Sequence, residues 1–196
     1  YWSILELGLA ALRNEELWFP FVVLRTSVLK TVRDSAAQLF CKMLEWFFTR
    51  DASLGTGAHM PSKLGREGFI LRAELGMLAA GEKALKQLTG VMGATGRKCC
   101  LNCMNVKDHK FFRGDPTGFH VPSTCVDRRR FAKHDDESIR GAYRLAAAAK
   151  AGARTKGEYT EFATEMGMAA MHYAPLAMPI FCCISVVMWD VFHVML

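Results

Sequence analysis

Nearly every residue of APLAMPIFCCISVVMW, positions 174–189, is apolar. A segment like this has to be buried somewhere, and this constrains the fold more than any other feature. It is short for a membrane span, and Pro179 interrupts it, so a buried strand with its approach is the expectation rather than a membrane partner. With 196 residues, 51% of them hydrophobic and 22% charged, the chain can bury one ordinary core, with room for an insertion.

Helical periodicity precedes that run in several places. Ser3 and Glu6 make a capping-box pattern that starts a helix near Ser3. From Thr26 or Ser27 onward, Val28, Leu29, Val32, Ala36, Leu39, Phe40, Met43, Leu44 and Phe47 fall on one face, which predicts a single long amphipathic helix. Its end, Trp46-Phe47-Phe48, reads as core. Residues 49–68 are Gly-rich, polar and basic, and read as loop. Alternation of Phe69, Leu71, Ala73, Leu75 and Met77 against Ile70, Arg72 and Glu74 predicts a strand. GEKALKQLTG follows as a short helix closed by Gly90. Asp135, Asp136 and Glu137 favour a helix start by complementing its dipole, and KGEYTEFATEMGMAAMHY reads as another helix.

The expected fold is therefore α/β or α+β, with many helices and few strands. Four regions are expected: a helical region with a basic loop (1–68), a core strand and short helix (69–91), a cysteine-containing helical insertion (92–173) and a second core strand (174–196). The opening at Tyr1 and the uncapped apolar end suggest a piece of a longer protein.

TGRKCCLNCMNV, positions 95–106, holds three of the seven cysteines. Cys100-x-x-Cys103 on a Gly-led turn can present two thiolates to one face of a tetrahedral zinc ion. Structural thiols and a redox pair are the alternatives, the last disfavoured by the loop that follows. A half-site needs two more ligands. Cys125 is the strongest nearby candidate, with His109, His120 and His134 behind it. Further on, Asp190 and His193 stand three apart and can share one face of a helical turn. Cys41, Cys182 and Cys183 lie in apolar contexts and read as core. An odd cysteine count with no signal-peptide pattern favours a reducing compartment, nuclear or cytoplasmic.

The net charge of +6 allows a polyanion partner such as DNA. Arg97, Lys98, Arg128, Arg129, Arg130 and Lys133 are the candidate phosphate contacts. No G-x-S-x-G, Walker A or H-E-x-x-H pattern occurs, so common nucleophilic, nucleotide and zinc-protease chemistries find no anchor.

The order of features resembles a known family. A strand ending at a polar turn (MLAAGEKAL), a Gly-led C-x-x-C (GATGRKCCLNC), a helical insertion and an apolar run into D-x-x-H (VVMWDVFH) are similar to RNase H-like transposases of the CACTA and related groups. The transposase-like proteins of dinoflagellates look most alike. The resemblance implies an RNase H-like core and an Asp-Asp-Glu triad binding two Mg²⁺ or Mn²⁺ ions. Gly81 stands where the second Asp belongs, leaving Glu82 as the only carboxylate at that turn. Asp34 and Asp51 are the only Asp residues before it. A catalytically inert, DNA-binding piece of a transposase-derived protein is therefore expected. The resemblance also implies a structural zinc site of Cys100, Cys103 and His193, with Asp190 as fourth ligand or hydrogen-bond acceptor. A zinc-knuckle interaction module without enzymatic ancestry is the alternative.

Overall fold

A computed structural model describes residues 14, 16, 22–62, 67–76, 78–80 and 82–189. The expected helix near Ser3, the Asp190 and His193 pair and the turn residue Gly81 lie outside the described residues.

The architecture is mixed α+β, with helices outweighing strands. Six α-helices are described: α1 (Thr26–Leu29), α2 (Ala36–Leu44), α3 (Glu82–Thr89), α4 (Asp136–Gly152), α5 (Lys156–Met166) and α6 (Cys183–Val186). The strands are β1 (Ala58–Met60), β2 (Phe69–Leu71), β3 (Leu78–Ala80), β4 (Val106–Lys107), β5 (Val121–Pro122) and β6 (Val187–Trp189). They pair two by two: β1 with β2 antiparallel, β3 with β6 parallel, and β4 with β5 parallel.

α4 is the organising helix. Asp135 caps it by accepting from the Ser138 amide at 2.7 Å, while the Asp135 amide donates to Ser138 Oγ. Ile139, Tyr143 and Ala146 form its buried face and join Leu44, Leu101, Met168, Leu176 and Phe181 in one core. α5, the Pro175–Ala177 turn and α6 pack around it. The first turn of α4 also grips the apolar run. Asp136 accepts from the Ile184 amide at 2.6 Å and from the Ser185 hydroxyl. Arg140, one turn on, donates to the carbonyls of Pro179 and Phe181. The fully buried Phe181 ring then meets Phe40 edge-on at 5.4 Å.

Several expectations change. The long helix from Thr26 is broken at residues 30–35, where Asp34 and Ser35 take positive φ (55° and 47°). The Asp34 carboxylate accepts from the amides of His172 and Tyr173 at 2.6 and 2.7 Å. A tertiary clamp thus overrides the helical pattern. Beyond Leu44 the helix widens into a π-turn over Glu45–Thr49. Trp46 is 58% exposed there and stacks on the Arg50 guanidinium at 4.2 Å, so it is not core. The single strand expected over 69–77 is strand only at Phe69–Leu71 (β2), and a separate strand, β3, follows at Leu78–Ala80 with a different partner. The apolar run is a 3₁₀ turn and the short α6 before it becomes β6, so only its end is strand. α5 stops at Gly167 (φ +69°) rather than continuing to Tyr173. Among the described residues no helix is long and apolar enough to cross a membrane.

β3 and β6 bracket the whole cysteine-containing insertion in sequence, yet pair in register from Leu78↔Val187 to Ala80↔Trp189. Their C-terminal ends therefore stand side by side, with α3 starting at Glu82 just beyond one of them.

Candidate functional site

The cysteine turn packs against the C-terminal end of α5. A Cβ at Gly167 would sit 2.0 Å from the Lys98 carbonyl oxygen, so only glycine lets the cysteine turn seat against this corner. Arg97 donates its amide to the Thr164 carbonyl at 2.8 Å, and its guanidinium pairs with Glu165. Lys107 reaches the other oxygen of Glu165 at 3.2 Å. These two cations hold the Glu165 carboxyl below its ordinary range, against the opposing effect of burial.

The turn itself is zipped to the segment before α4. Met104 donates to the Ala132 carbonyl at 2.9 Å, His134 donates to the Asn102 carbonyl at 2.8 Å, and Cys103 and Lys133 form an antiparallel bridge. Asn105, 2% exposed, fixes the remaining loops. Its side-chain amide donates to the carbonyls of Phe119 (2.9 Å) and Arg130 (2.8 Å), and its oxygen accepts from the Ala132 amide at 2.8 Å. One buried side chain thereby ties three loop segments beside the short β4–β5 pairing.

This framework gathers Lys98, Cys100, Cys103 and His134 around one cavity of about 30 Å³, closed below by Ile139 and Met168. That is room for a water or an ion. Cys100 and Cys103 are near enough to affect each other's ionisation. Burial first, and Cys100 second, push the Cys103 thiol up to about 12. Burial, helped by the Lys98 cation, lowers His134. Burial and the neighbouring Lys107 lower Lys98.

In donor chemistry the two sulfurs and one imidazole fit zinc, which prefers sulfur and nitrogen ligands. Among the described residues, however, no group of three or more His, Cys, Asp or Glu side chains stands close enough to hold a metal ion as placed. The cavity has donor residues on its wall but not the geometry of a metal cage. It also bears on the two-metal expectation. Asp34 is committed to the backbone of His172 and Tyr173, and Glu82 marks the start of α3.

The other sequence candidates lie elsewhere. Cys125 Sγ is 3.7 Å from the Asp127 carbonyl and does not line the cavity. His120 Nδ1 pairs with Asp115 Oδ2 at 3.0 Å, and the same carboxylate accepts from the Thr117 hydroxyl at 2.8 Å. His109 packs against Ser123. Arg128, Arg129 and Arg130 form an exposed 3₁₀ turn capped by Asp127, with Arg129 clasping that carboxylate through Nε at 2.9 Å and Nη2 at 3.2 Å. Arg128 and Arg130 have no such clasp described and face solvent, as does the 95% exposed Val126. Cys41 and Cys183 are buried, and desolvation pushes their thiols up to about 11 and about 12. Cys182 is half-buried, with its sulfur 3.7 Å from Arg140.

Two contributors escaped the sequence reading, Asn105 and Ser138. An Asn in a loop and a Ser at the third position of a helix carry no signal until their partners are known. No family model matches the chain, and neither a curated protein nor a solved structure is significantly similar to it.

Proposed function

We propose that the chain is part of a DNA-binding domain of transposase descent, without a catalytic triad of its own, whose insertion is stapled by a zinc-type site on Cys100 and Cys103. The observation that carries this reading is the parallel pairing of β3 with β6. It joins, as neighbouring strands, the two segments on which the resemblance rests, with the C-x-x-C insertion looped out between them. Parallel neighbours need a long crossover, and the insertion supplies it.

The DNA contact in this reading is the exposed arginine turn with Lys133 behind it. Clustered cations facing solvent suit phosphate contacts, which are not sequence-specific. Arg97 and Lys107 contribute less, because Glu165 already neutralises part of their charge.

Binding of a fluorescent DNA duplex, followed by anisotropy between about 50 and 200 mM salt, tests the reading. The expected result is salt-sensitive binding that weakens in an Arg128→Ala/Arg130→Ala variant. No duplex binding at the low-salt end overturns it. Mg²⁺- or Mn²⁺-dependent nicking that copurifies with the protein and vanishes in Glu82→Gln overturns the absence of catalysis.

A further inference from the structure

We infer that His134 is the third ligand of the metal held by Cys100 and Cys103, so that the site is completed locally, across the cavity at the N-terminus of α4. This rests on the zinc-type staple proposed above and replaces the distant Asp190 and His193 pair as its completing half.

Three observations lead there. The first is the framework. His134 and the cysteine turn belong to one antiparallel pairing, through His134 N–H to Asn102 O, Met104 N–H to Ala132 O and the Cys103–Lys133 bridge. Their backbones are therefore fixed relative to each other before any ion arrives. The second is the shared cavity, which His134, Cys100 and Cys103 line together. With both backbones held by that pairing, the proposed site closes on an ion by rotation of its side chains. This reconciles a local site with the absence of a ready-made three-donor cage among the described residues.

The third is the tautomer of His134. Ser138 Oγ lies 2.9 Å from His134 Nδ1. The same hydroxyl donates its only proton to the Asp135 carbonyl at 3.0 Å and accepts from the Asp135 amide at 3.0 Å. With that proton directed to the Asp135 carbonyl, the bond to the ring runs the other way, from Nδ1–H to Oγ. The proton on Nδ1 leaves Nε2 with its lone pair free. A histidine whose one nitrogen is held by an outer hydrogen bond and whose other is bare is the form a metal ligand takes. The capping box of α4 thus fixes both the helix start and the ring's ligating nitrogen.

Each thiol surrenders its proton to solvent as the metal–sulfur bond forms, and His134 binds through Nε2 without proton loss. No oxidant or reductant takes part. Water or a further side chain fills the fourth position.

The test is titration of the reduced, metal-free chain with Co²⁺, which reports sulfur ligands through thiolate-to-cobalt charge transfer and geometry through its visible bands. Wild type and Cys125→Ser are expected to give a tetrahedral, two-thiolate spectrum, and Cys100→Ser to lose it. His134→Ala and His134→Gln are expected to weaken Co²⁺ binding by about 10- to 100-fold or more and to shift the visible bands. Their metal-free forms serve as folding controls by circular dichroism against metal-free wild type. Unchanged bands and affinity in both His134 variants, with loss in His193→Ala, overturn this inference and leave the metal staple standing. No thiolate–cobalt band in wild type overturns the staple itself, and this inference with it.

Discussion

Two stretches of this chain look alike in sequence and end up very differently built. Residues 50–76 and 95–134 are both rich in Gly, polar and basic residues, with short apolar interruptions. In the first, β1 and β2 form an isolated antiparallel pair whose apolar residues face water: Phe69 is 54% and Ile70 59% exposed. In the second, strands of only two residues are held by polar hubs, of which Asn105 is buried. Asn105 clamps three backbone groups, Asp115 gathers Thr117 and His120, and Asp127 caps the arginine turn. Non-helical chain is fixed here by side chains that satisfy loop backbone from within, and the region organised in that way is the one that assembles the thiol cavity. An isolated two-stranded hairpin is marginal by itself.

The largest expected effect on this contrast comes from Asn105→Ala. It leaves the carbonyls of Phe119 and Arg130 and the amide of Ala132 without their buried partner, and it opens a cavity. A loss of about 3 kcal/mol in urea-induced unfolding is expected. A loss under about 1 kcal/mol would mean the hub does not organise the region.

Gly167→Ala comes next. It combines φ +69° with a would-be contact to the Lys98 backbone, and about 2 kcal/mol of destabilisation is expected by the same measurement. A neutral result would break the link between α5 and the cysteine turn.

Acid should separate the two regions further. Bonds from the amide of His120 and the hydroxyl of Thr117 hold Asp115 well below the ordinary carboxylate range, and bonds from Ser138 lower Asp135. Both groups are depressed in the fold. Their contribution is therefore fully present above the unfolded value near about 4 and is lost as pH falls through the folded values. Asp115→Asn should flatten the acid limb of a stability–pH curve, measured by thermal unfolding between about pH 2 and 6. An unchanged limb would show the carboxylate to be idle.

The smallest effect is expected from Ile70→Ser on the exposed hairpin, within about 0.5 kcal/mol of wild type by urea unfolding. A loss above about 1.5 kcal/mol would show that this apolar face is covered after all.

What could be read from the sequence follows from the range of the interactions involved. α4 was legible because Asp135, Asp136 and Glu137 advertise its start, and α3 because Gly90 closes it at φ +76°. The Cys100-x-x-Cys103 spacing is likewise local, and the structure sets both cysteines on one cavity. The break at Asp34 was not legible, since its cause is a clamp on residues 172 and 173. Nor was the division of 69–80 into two strands, because β1 and β6 compete for different ends of one alternating pattern. His134 was one of several nearby histidines until the 102–104 and 132–134 pairing set it against the cysteines.

Hydrogen–deuterium exchange of the chain, metal-free and with one equivalent of Zn²⁺, tests the central claim most directly. Slow exchange is expected at the amides of Met104, Val121, Ala132 and His134, slowed further by zinc. Fast, zinc-insensitive exchange is expected across Ala58–Met60 and Phe69–Leu71. Equal protection of the two regions, or zinc protection absent from Met104 and His134, would contradict that claim.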